Sequence, residues 1–160
     1  MVAGGPKDRP DLKKLAPLTL KPLRQRRGVQ TAEIAAALRI SQRAVEHFEN
    51  GKGALNVDRV HKVAALLYAD PYAILAAYEI GSPKFAQRCA DNKLMLQFMM
   101  KLKEFDARAQ DAIGLLDPHT IMKAFETMFD DLASKAAEQQ RIVSQWRSDS
   151  DEPEAEGHPA

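Results

Sequence analysis

Apolar residues return every three or four positions along most of this chain, and no segment alternates strictly enough to predict a strand. From Leu18 the pattern is helical, with Leu20 and Leu23 three apart ahead of Arg26, Arg27 and Gly28, where glycine supplies a helix stop. Pro22 inside that stretch predicts a helix that starts late, near Lys21, with Leu20 as a staple at its entrance. Ile34, Ala35 and Leu38 form a short apolar face, with Glu33 placed to reach back to the helix start. Ser41 then caps a second short helix whose Val45 and Phe48 point inward and which ends at Gly51. Val57, Val60, Val63, Ala64 and Leu67 mark a longer buried helix capped by Asn56. Asp70-Pro71 opens a fifth helix with Ile74 and Leu75 as core residues, and Ser82-Pro83 and Asp117-Pro118 repeat that start signal.

The pattern divides the chain into four parts: a flexible basic arm at 1–16, a five-helix domain at 17–81, a helical region at 82–147 and a disordered acidic tail at 148–160. In the third part Leu94, Phe98, Leu102 and Phe105 share one stripe, widened by Met95, Met99 and Met100. Ile121, Met122, Phe125, Met128, Phe129 and Leu132 form a second amphipathic helix. These two faces hold more Met, Leu and Phe than a private core of this size needs. Leu94, Phe98, Met99, Leu102, Ile121, Phe125, Met128, Phe129 and Leu132 are therefore expected to dimerise the chain.

The formal net charge is +1, but residues 1–55 carry 11 basic and 5 acidic side chains, whereas residues 56–160 carry 12 and 17. A basic front half suits a polyanion partner, though a solvated basic face alone would produce the same imbalance. No apolar run approaches the roughly 20 residues of a membrane span. The start lacks a signal peptide's apolar centre, so a cytoplasmic protein is expected. The single cysteine, Cys89, excludes an intrachain disulfide and reads as a buried core residue. His61, His119 and His158 have no ligand-like spacing, and no nucleophile motif or phosphate loop occurs. No metal, cofactor or enzymatic activity is expected.

The chemistry concentrates in Ser41–Gly53, where Gln42, Arg43, Glu46 and His47 share the exposed face of a short helix. Such a helix fits the DNA major groove, where Gln pairs with adenine and Arg forks onto guanine. Residues 18–80 resemble the Xre/Cro-type helix-turn-helix domains of lambdoid phage repressors. The resemblance rests on Leu20, Leu23 and Arg24, on Gly28, Ile34, Ala35 and Leu38, and on the segment Ser41-Gln-Arg-Ala-Val-Glu-His-Phe-Glu-Asn-Gly-Lys52. It implies an all-α, five-helix fold and a sequence-specific transcription regulator acting on double-stranded DNA. Gln42, Arg43 and His47 would contact bases, and Gln30, Thr31, Ser41, Asn50 and Lys52 would contact phosphates. Arg24 and Glu49 would form a structural salt bridge.

Two features depart from the family pattern: Gln30 replaces the usual Ser, Thr or Asn cap, and Arg39 stands where the turn usually has Gly. The helical pattern of 84–146 also argues against the β-rich self-cleaving peptidase that many phage-type repressors append. A homodimeric repressor on a palindromic operator is the leading expectation. An antitoxin-like module whose C-terminal helices bind a partner protein stays open, and so does a regulator sensing a small effector there.

Overall fold

The computed structural model describes residues 10–150. Among them are eight α-helices and no strand: α1 Leu12–Arg26, α2 Thr31–Leu38, α3 Gln42–Glu49, α4 Val57–Leu66, α5 Pro71–Glu79, α6 Pro83–Arg88, α7 Leu94–Ala109 and α8 Pro118–Ser150. A short 3-10 helix at Gln110–Leu115 precedes α8. The chain divides into two compact units, the first ending at Arg108 and the second starting at Ala109.

α1 corrects two expectations. Residues 12–16 are helical rather than part of a flexible arm, and the helix does not wait for Lys21. Residues 1–9 of the expected arm lie outside the described residues. Asp11 caps α1 by accepting the Lys13 N–H at 3.0 Å, and the helix then runs through both Pro17 and Pro22. A proline inside a helix costs about 3 kcal/mol. The face formed by Ala16, Thr19, Leu20 and Leu23 is wholly buried, and burying each leucine contributes about 2 kcal/mol towards offsetting that. Thr19 is satisfied there by donating its hydroxyl to the Leu15 carbonyl at 2.8 Å.

The core of the first unit forms where α1 meets α3, α5 and α6, while α2 packs on α3 and α4. Leu20, Leu23, Ile34, Val45, Val60, Leu67 and Ile74 fill it. Each cap predicted from sequence for α3, α4 and α5 is present: Ser41 on Ala44, Asn56 on Arg59, and Asp70 on Tyr72 and Ala73.

The expected boundary at residue 81 is also corrected. α6 packs on α1 and α5, and Ala86, Cys89 and Ala90 are buried in the same core. Burial pushes the Cys89 thiol pKa up, with the Asp70 charge adding to it, which makes the thiol a packing group rather than a nucleophile. Asp91, just beyond, receives Arg26 and Arg27 at 2.6 Å each. The Arg27 hydrogen bond, helped by the Arg26 charge, lowers the Asp91 carboxyl pKa.

Arg27 also donates to the Leu67 carbonyl at 2.9 Å, and Lys93 donates to the carbonyls of Tyr68 and Ala90. Asp70 is fully buried. One of its carboxylate oxygens caps α5, and the other accepts the Met95 and Leu96 N–H groups at 2.8 and 3.0 Å, capping α7. The first unit is thus five helices closed by a sixth, with the start of α7 pinned to it.

In the second unit, Asp117 caps α8 through the Thr120 N–H and hydroxyl at 3.0 and 2.6 Å. α8 continues to Ser150, so residues 148–150 belong to the helix and not to a disordered tail. Ser148 and Ser150 donate their hydroxyls back to the Ser144 and Trp146 carbonyls, and no helix breaker occurs before that point. Residues 151–160 lie outside the described residues. No residue of α7 or α8 is buried. Among the described residues no helix is long and apolar enough to cross a membrane.

Candidate nucleic-acid interface

α2 and α3 are joined by a turn in which Arg39 adopts the left-handed conformation at φ 55°. A residue with a Cβ pays about 1 kcal/mol there. The Ile40 N–H donating to the Ala35 carbonyl at 3.0 Å closes the end of α2 over it. At the other end of α2, the Glu33 carboxylate accepts the Gln30 N–H at 2.6 Å, which supports a helix start that Gln30 alone caps poorly.

α3 is held firmly on one side and open on the other. Val45, Phe48 and Glu49 are buried, Gln42, Arg43 and Glu46 are exposed, and His47 is half-buried. Gly51 ends the helix at φ +65°, and a Cβ there would stand 2.5 Å from the Leu12 carbonyl oxygen. Only glycine allows the end of α3 to lie against the start of α1. The Lys52 N–H closes this end on the His47 carbonyl at 2.9 Å.

Arg24 locks the recognition element to α1. Its Nε donates to Glu49 Oε1 at 2.6 Å, its Nη2 to Oε2 at 3.3 Å and its Nη1 to the Val29 carbonyl at 3.1 Å. Only 11% and 8% of the two side chains is exposed, so neither charge is left to water. Removing either partner alone strands the other, and Arg24→Ala or Glu49→Ala is expected to cost about 3 kcal/mol. In a double-mutant cycle read by urea unfolding, the two losses should be far from additive. A coupling energy near zero would contradict this role.

The remaining site residues are distributed as follows. Gln30, exposed, and Thr31, half-buried, stand at the start of α2, whereas exposed Ser41 opens α3 and exposed Asn50 and Lys52 lie at its end. The Ser41 hydroxyl oxygen accepts the Ala44 N–H at 3.1 Å, which leaves its own O–H to donate. Asn50 is different, because its Nδ2 donates to the Glu46 carbonyl at 2.8 Å and so caps its own helix. Two further cations lie near this element, and neither is among the contacts expected from sequence. Arg39 is exposed in the turn, and Arg59 of α4 stacks over the buried Phe48 ring at 5.5 Å, supporting α3 from behind. An arginine in place of glycine was visible in the sequence as a departure, but nothing in the spacing of Arg59 marks its ring partner.

An exposed polar helix face, a rigid rear contact and a tight preceding turn define a helix-turn-helix unit. Residues 18–74 match a family model described as a helix-turn-helix domain, in keeping with the Xre/Cro-type resemblance. No curated protein and no solved structure gives a match. The chain therefore carries a helix-turn-helix domain, the hallmark of DNA-binding regulators, followed by further helices.

Proposed function

We propose that this protein is a sequence-specific transcription regulator, a repressor that binds a palindromic operator as a homodimer. The observation that carries the reading is the two-sided character of α3. Its polar first turn, Gln42 and Arg43, is exposed while Val45, Phe48 and the Arg24–Glu49 pair fix its rear. An eight-residue helix is about 12 Å long, comparable with the width of the major groove. Gln42, Arg43 and His47 then meet base edges. Lys52, Ser41, Thr31 and the Gln30 side chain hold the flanking phosphates and set the register. Asn50 acts chiefly as a cap that shapes the end of α3. A dimer occupying DNA that polymerase must enter represses by exclusion, and the exposed apolar faces of α7 and α8 supply surface for the second copy.

Arg43→Ala is expected to cost about 1–3 kcal/mol on the specific site and to relax preference at one base position. Lys52→Ala is expected to weaken binding to every sequence and reduce the salt slope by about one. Binding titrations on the specific site and on random duplex, at two salt concentrations, separate the two. An Arg43→Ala loss that is equal on both DNAs would place Arg43 on a phosphate and refute its base-reading role.

A further inference from the structure

From Met122 to Trp146 a single seam follows the 3-4 heptad spacing along α8 without a break. Met122, Phe125, Phe129, Leu132, Ala136, Gln139, Val143 and Trp146 fall on it, so only one seam position is polar. The seam is open: Met122 is 57% exposed, Phe129 52% and Trp146 73%, and Phe125, Leu132 and Val143 are exposed too. Half-buried Ile121 and Met128 border it on one side. α8 is 33 residues, about 50 Å, long enough for a continuous helix pair.

The geometry points to α8 pairing with the α8 of a second copy in antiparallel orientation, centred near residue 134. This deepens the homodimer reading and rests on it. Two independent features choose the orientation. The first is volume. An antiparallel pair sets Phe125 against Val143, Phe129 against Gln139, Leu132 against Ala136 and Met122 against Trp146, so that most layers match a large side chain with a smaller one. A parallel pair would stack Phe125 and Phe129 each on itself and leave Ala136 facing Ala136, too wide at one end and hollow in the middle. The second is charge. Residues 118–133 carry one basic and three acidic side chains, and residues 134–150 carry three basic and two acidic ones. Antiparallel pairing brings the acidic half of one helix along the basic half of the other, whereas parallel pairing sets like on like. The helix dipoles also oppose each other in this arrangement.

The test uses the full chain with Cys89→Ala as background and a nitroxide label on Ser134→Cys or Ser144→Cys, both at exposed positions off the seam. In an antiparallel pair the two Ser134 labels lie at the same height. The two Ser144 labels are offset by about 30 Å along the axis, so their dipolar distance is the longer of the two. Light scattering on the same samples should give a dimer. Equal distances at both positions would mean a parallel pair and would overturn the inference. A dimer whose labels show no dipolar coupling would place the contact elsewhere, overturning the inference but not the homodimer. A monomer would overturn both.

Discussion

A chain carrying Asp70→Ala is expected to lose about 4 kcal/mol of unfolding free energy, enough to bring a domain of ordinary stability close to unfolding. The carboxylate is fully buried and accepts four backbone N–H groups, two opening α5 and two opening α7. Removing it leaves those donors without an acceptor in a place water does not reach. A buried unsatisfied donor costs about 1–3 kcal/mol, several times what a solvent-exposed cap contributes. Asp70→Asn keeps one acceptor oxygen and serves only one helix, so its loss should fall about midway. Urea unfolding followed by circular dichroism measures both variants. A loss below about 1 kcal/mol for the alanine variant would show that the two helix starts do not depend on this side chain.

Removing residues 109–160 is expected to leave a folded, monomeric domain that has lost about a hundredfold or more in affinity for the operator. The fold should survive because the first unit ends at Arg108 and carries the core from Ala16 to Ala90. Affinity should fall because joining two weakly binding domains makes the second contact intramolecular, a gain of about 10²–10⁴ that vanishes with the link. A cut at residue 81 would be a poor substitute. It removes α6, whose Ala86 closes the core, and the Asp91 carboxylate that anchors Arg26 and Arg27. Light scattering and a binding titration on one palindrome decide the matter. A shortened chain that binds as tightly as the full one would remove α8 from DNA binding.

What the sequence made legible follows from how each element is encoded. α3, α4 and α5 begin with a capping side chain and carry apolar residues at helical spacing, two local signals that agree. The full length of α1 is not legible locally because proline is a strong breaker, and only the buried face from Ala16 to Leu23 outweighs it. The Ser82-Pro83 start of α6 is legible in the sequence, but its place in the first core is not, because Ala86 and Ala90 are small and make no amphipathic stripe. Asp70 reads correctly as the cap of α5, but its second oxygen serves Met95 and Leu96, a separation that no local pattern reports.

The candidate DNA face was legible because a helix with one apolar edge and four long polar groups leaves few other arrangements. The bond of Asn50 back to the Glu46 carbonyl was not, since the amide suits a phosphate and a helix end equally well. On α8 the apolar stripe is plain in the sequence only as far as Leu132. The more polar Lys135–Arg141 stretch hides the resumption of the seam at Val143 and Trp146.

If α3 reads base sequence twice, from a two-fold dimer, the preferred DNA must carry the same two-fold pattern. Selection of bound duplexes from a random-sequence library by the full-length protein shows whether it does. One motif made of two inverted half-sites should be enriched, their centres about 34 Å or one helical turn apart. The same selection with Arg43→Ala should lose one base of preference in each half-site. A library that emerges with no enriched motif, while binding still falls steeply with salt, would mean that the protein holds phosphates without reading bases, the opposite of the role given to Gln42, Arg43 and His47.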